Sequence, residues 1–172
     1  STPIQIFDLL AQKSFEKELW ENVHFWWGDE RLVSLDSQES NAGEAMRHAL
    51  ALLNIPKQQC HRIQGELPPA DALERFVRDL EKYIPQYHNC PQFDWIWLGI
   101  GPDGHTASLF PDFQDWNHKK FAFHVLNPYT HQARITLSPI IFKNAKRLSF
   151  LAAGIDKKQV LTEVLCDQSC SY

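Results

Sequence analysis

One stretch constrains this chain more than any other. Phe93-Asp94-Trp95-Ile96-Trp97-Leu98-Gly99-Ile100-Gly101 reads as a hydrophobic strand that runs straight into glycine, and three of the seven glycines (Gly99, Gly101, Gly104) fall within six residues. So apolar a strand belongs at the centre of a sheet, covered on both faces. Its glycine loop leaves bare backbone at the carboxyl end, which is where open α/β sheets bind ligands.

The rest of the chain fits such a sheet. Apolar spacing predicts helices over 3–13, 40–53, 70–83, 140–145 and 156–165, and β-rich runs over 23–27, 121–126, 134–137 and 148–152. Strands separated by helices imply crossover connections and a mainly parallel sheet flanked by helices. With 172 residues and no linker, repeat or low-complexity segment, the expectation is a single α/β domain over 1–172.

Composition narrows the function classes. A hydrophobic fraction of 44% with 22% charged residues is ordinary for a globular chain and excludes intrinsic disorder. The net charge of −4 argues against a nucleic-acid binder, whose footprint is basic. No apolar run approaches the roughly 18 residues of a membrane span. Cys60, Cys90, Cys166 and Cys170 form no C-x-x-C pair, although Cys166 and Cys170 can share a helix face. Ser1-Thr2-Pro3 lacks the charged start and apolar core of a signal peptide, so reduced thiols in the cytoplasm are expected.

The glycine loop delivers Asp103 and His105 into the predicted crevice. A carboxylate beside an imidazole orients it and raises its basicity, which suits a general base. The dinucleotide pattern fails, because no glycine stands three after Gly101. After the 23–27 run come Gly28-Asp29-Glu30-Arg31. Such a triplet is ordinarily a solvated loop with a surface ion pair, but at a strand's carboxyl end it faces the same rim. Anions have three candidate holders: Ser1-Thr2 ahead of the first helix, Arg134, and Lys157 in the first turn of the last helix. No histidine spacing suggests a metal site.

These segments together carry a resemblance. Trp27-Gly28-Asp29-Glu30-Arg31, Ser40-Asn41, and Gly99-Ile-Gly-Pro-Asp-Gly-His-Thr-Ala-Ser-Leu-Phe-Pro111 resemble the 6-phosphogluconolactonase family, as do Arg134-Ile-Thr-Leu and Gly154-Ile-Asp-Lys157. The resemblance implies a modified Rossmann-like fold, no metal or organic cofactor, and hydrolysis of 6-phospho-D-glucono-1,5-lactone in the pentose phosphate pathway. It makes His105 the base that activates water, with Asp103, Arg31 and Asp29 completing the catalytic set. Gly101 and Gly104 border the substrate, and Ser1, Thr2, Arg134 and Lys157 hold its phosphate. The partner implied is a small sugar-phosphate lactone, with no nucleic acid or membrane; no motif encodes the oligomeric state.

Two other readings share this fold. A glucosamine-6-phosphate deaminase-like isomerase carries a proton-transferring glutamate where this chain has Phe110, and a tyrosine where it has Arg31. A non-catalytic sugar-phosphate-binding homologue has no need of His105. In the resembled family Ser-Thr-Pro closes a Ser-Gly-Gly-Ser-Thr-Pro phosphate loop preceded by a strand–helix–strand portion. The expectation is therefore a domain lacking that portion and a short C-terminal segment.

Overall fold

Helices and short strands are interspersed along the chain. The computed structural model describes residues 2–12 and 17–166, with side chains over 4–12 and 18–165. Helix α1 spans Thr2–Gln12, and β1 (Phe25–Trp26) and β2 (Asp29–Arg31) follow. Next come α2 (Asn41–Ala45), β3 (Cys60–His61), α3 (Pro69–Tyr83) and a small hairpin of β4 (Gln86–Tyr87) and β5 (Cys90–Pro91). Strands β6 (Ile96–Gly99), β7 (Ala122–Leu126) and β8 (Ala133–Leu137), helix α4 (Pro139–Asn144), β9 (Leu148–Leu151) and α5 (Lys158–Cys166) complete the order.

The parallel pairs are β1 with β3 and β6 with β9, each separated by helical chain. To these the molecule adds an antiparallel sheet in the order β2-β8-β7. Helix α3 shows why the helices form where they do. Pro69 opens it and Asp71 lies in its first turn, both suited to a helix N-terminus. Ala72, Phe76 and Leu80 recur every fourth residue and are buried. They meet Ile96, Leu98, Ile135, Leu137 and Ile141 in the main core. Each such large side chain contributes on the order of 2 kcal/mol by leaving water.

Two predicted elements differ in form. The 40–53 helix begins with Ser40 as its cap, the Ser40 hydroxyl accepting the Gly43 N–H, but after Ala45 it widens into a π-helical turn over Met46–Leu50. The Asp29-Glu30-Arg31 triplet is not a loop. It is a strand whose ladder partner is β8, with Asp29 opposite Thr136, Glu30 opposite Ile135 and Arg31 opposite Arg134. Among the described residues no helix is long and apolar enough to cross a membrane.

Candidate active site

The loop after β6 folds on itself. The Gly101 N–H donates to the His105 carbonyl at 2.7 Å, the Gly104 N–H donates to the Gly101 carbonyl at 3.1 Å, and Thr106 Oγ1 donates to the Gly99 carbonyl at 2.9 Å. Gly104 sits at φ +88°, where a side chain would strain the turn. This curl brings His105 Nδ1 to 2.5 Å from Asp103 Oδ1. Burial pushes the Asp103 carboxyl up, but its bonds to the His105 ring and backbone N–H outweigh that and hold it below the usual carboxylate value. An ionised carboxylate only accepts, so Nδ1 carries the proton and Nε2 keeps a free lone pair. The N–H groups of Gly101 and Gly104, the glycines expected to border the substrate, are both engaged inside the loop. Gly101 acts through clearance: a Cβ there would sit 2.6 Å from Asp103 Oδ1 and closer still to the His105 ring.

Strand alternation sorts the β2 triplet. Glu30 points into the core, 1% exposed, where it accepts the N–H groups of Arg31, Asn41 and Ala42 and the Ser40 hydroxyl. It is an anchor for the start of α2 and not a rim group. Burial raises its carboxyl above the ordinary value against the pull of those four donors. Asp29 and Arg31 point the other way, and with Arg134 and Thr136 of β8 they make one polar face.

On that face Asp29 Oδ2 accepts the Ser108 hydroxyl at 2.6 Å and lies 3.9 Å from Arg134 Nη1, while Asn41 Nδ2 donates to Asp29 Oδ1 at 3.3 Å. The Ser108 N–H donates to Thr136 Oγ1 at 3.3 Å. Asp29 and Thr136, opposite each other in the ladder, thus clasp the segment that follows His105. Ser108, Thr136 and Asn41 all lie in the segments that carry the resemblance, but none of them has a role assigned from the linear sequence. The usable signal for Thr136 was its place two residues from Arg134 on a strand.

Arg31 and Arg134 stand side by side. With Glu39, Thr130 and Gln132 they line a cavity of about 360 Å³. Arg31 donates to the Glu39 carbonyl at 2.6 Å and Arg134 to Gln132 Oε1 at 3.2 Å, yet the Nε of each guanidinium is buried without a hydrogen-bond partner. Burial, then the neighbouring Arg31, depress the Arg134 guanidinium. Phe110 joins this cavity to the dyad, its ring 5.3 Å from His105 and 5.8 Å below the Arg134 guanidinium. The arrangement offers an imidazole base beside two cationic anion-binding groups.

The remaining predicted holders lie elsewhere or outside the described residues. Lys157 follows β9, the parallel neighbour of β6; it is 3.2 Å from Asp156 and does not line the arginine cavity. Thr2 opens α1 and its side chain is not described, and Ser1 lies outside the described residues, as does Cys170. No group of three or more His, Cys, Asp or Glu side chains among the described residues is placed to hold a metal ion.

The chain is similar to known proteins along nearly its whole length. The family model for glucosamine-6-phosphate isomerases/6-phosphogluconolactonase matches residues 1–171. The 6-phosphogluconolactonase of Haemophilus influenzae is 39% identical over 165 residues, covering 95% of this chain and 69% of that protein. The crystal structure of the devB protein superposes with a TM-score of 0.91 at 41% identity, covering 95% of this chain and 69% of that one. The 6-phosphogluconolactonase structure from Thermotoga maritima gives a TM-score of 0.83 at 31% identity, covering 96% and 72%.

Proposed function

The chain belongs to the glucosamine-6-phosphate isomerase/6-phosphogluconolactonase family, and from that membership we propose that it hydrolyses 6-phospho-D-glucono-1,5-lactone to 6-phospho-D-gluconate. The observation that carries the reading is the His105–Asp103 pair at 2.5 Å, packed through Phe110 against the Arg134 side of a two-arginine cavity. His105 Nε2 takes a proton from water as the water oxygen bonds to the lactone carbonyl carbon. The carbonyl electron pair moves to oxygen, and Arg31 stabilises that charge. When the ring C–O bond breaks, the imidazolium returns the proton to the leaving oxygen. Asp103 fixes the ring tautomer, while Asp29 acts as a positioning residue for Arg134 and Ser108.

The substrate phosphate is assigned to Ser1, Thr2, Arg134 and Lys157, with the N–H groups of the first turn of α1 as donors. Free thiols at Cys60 and Cys90 support a cytoplasmic setting. The isomerase alternative lacks its proton-transfer group, because Phe110 is a buried hydrocarbon ring.

The test is turnover of freshly generated lactone, followed as 6-phosphogluconate formed above the spontaneous rate. His105→Ala should lose about 10²–10⁴-fold in kcat while still binding 6-phosphogluconate. Ammonia release from glucosamine 6-phosphate, or tight phosphosugar binding with no turnover, would overturn the reading.

A further inference from the structure

The loop joining β7 to β8, residues 127–132, carries Gln132 to the arginine cavity, which it lines together with Thr130. The backbone of this loop is fixed from both ends. Buried Asn127 accepts the N–H groups of Tyr129 and Thr130 on its Oδ1, each at 2.9 Å. The Asn127 N–H donates to the Gln132 carbonyl at 2.9 Å, and the Gln132 N–H donates to Thr130 Oγ1 at 3.4 Å. Gln132 stands two residues before Arg134 where the chain enters β8, so the two side chains leave on the same side. Arg134 Nη2 donates to Gln132 Oε1 at 3.2 Å.

The hydrogen bonds that the two guanidiniums make among the described residues both end on neutral oxygens, Arg31 on the Glu39 main-chain carbonyl and Arg134 on the Gln132 amide. Burial and Arg31 outweigh the carboxylates of Asp29, Glu39 and Glu30 in their effect on Arg134, which is left a poorly compensated cation. A glutamate has the same length as a glutamine, and as an ionised acceptor it would hold the guanidinium about twice as strongly. It would also cancel a unit of positive charge inside the cavity. We propose that Gln132 is a positioning residue for the anion site: its neutral amide fixes the Arg134 guanidinium and leaves the full charge to a phosphoryl group in the cavity. Arg134 Nε, buried with no hydrogen-bond partner among the described residues, is a donor still to be satisfied.

The role rests on the lactonase reading for its substrate, so its test has an arm free of turnover. Inorganic phosphate and 6-phosphogluconate are titrated by calorimetry into wild type, Gln132→Glu and Gln132→Met, with Arg134→Gln marking the part of the signal that belongs to the cavity. Gln132→Glu melts about 2–4 °C above wild type, because an ion pair replaces a neutral bond, yet it binds phosphate at least about tenfold more weakly. A residue of the scaffold alone would move stability and affinity together; here they move apart. Gln132→Met keeps the side chain's length and removes its acceptor, so KM for the lactone rises about threefold with kcat changed less than about twofold. A Glu variant that binds phosphate as tightly as wild type, or a Met variant with the wild-type KM, overturns the role of Gln132. A wild-type chain that turns over no lactone, while Gln132→Glu still weakens phosphate binding, overturns the functional reading instead and leaves the role of Gln132 standing.

Discussion

Gly101→Ala probes how closely the chemistry depends on one missing methyl group. A Cβ at this position would lie 2.6 Å from Asp103 Oδ1 and nearer still to Nδ1 and Cε1 of His105. Non-bonded heavy atoms settle at about 3.5–4.0 Å, so the dyad must retreat by about 1 Å. Every atom in the way belongs to a side chain, and the loop's own bond from the Gly101 N–H to the His105 carbonyl does not involve the new carbon. The fold survives and the base moves. A misplacement of about 1 Å costs about 10²-fold in rate, or about 2.7 kcal/mol of transition-state stabilisation. Stopped-flow or coupled measurement of lactone hydrolysis gives kcat, and thermal unfolding confirms that the variant is folded. A folded Gly101→Ala protein with kcat within twofold of wild type would falsify the assignment of the pair as the reacting base.

Two further outcomes separate binding from scaffold. Arg31→Gln removes one of two facing guanidiniums, so the unliganded variant melts at or above the wild-type temperature. A product present at 100 times its Kd stabilises the wild type by about 2.7 kcal/mol, some 5–10 °C at this size, and in the variant most of that rise is gone; differential scanning fluorimetry with 6-phosphogluconate reads both. Ser40→Ala strips the α2 cap from Gly43 and one donor from buried Glu30, which costs about 2 kcal/mol. It lowers Tm by about 4–8 °C and leaves KM alone; a Tm unchanged in the scan would count against the Glu30–Ser40 anchor.

Local signals were legible and long-range ones were not. The apolar repeat predicts a helix over 70–83, and α3 spans Pro69–Tyr83, because Ala72, Phe76 and Leu80 are buried with Leu73 and Val77 packed beside them. Asp103 and His105 were readable as a unit because a single residue separates them on a loop whose glycines announce its curvature. The Asp29–Arg31 strand has no apolar alternation; it is a strand only because β8 supplies its ladder. For the same reason Glu30 reads as a rim charge in sequence and turns out to be a core anchor. The π-turn at Met46–Leu50 keeps helical spacing, so periodicity does not distinguish it from a continuous helix.

The arginine pair shows what pairing adds to residues that are weak signals alone. Like charges directly opposite each other in an antiparallel ladder are destabilising, and a buried guanidinium nitrogen without an acceptor costs further. Arg31 and Arg134 carry both penalties: they are ladder partners, and each has a buried Nε with no hydrogen-bond partner. Asp29 relieves little of this, lying 3.9 Å from Arg134 while its carboxylate is engaged by Ser108 and Asn41. A face selected for stability alone would replace either arginine with threonine or valine. Its persistence is explained if an anionic group of the substrate supplies the missing acceptors and cancels the repulsion, so that strain in the empty site becomes affinity in the filled one. The same logic explains why Glu30 faces away: a third carboxylate on this side would neutralise the pair and compete with the anion for it.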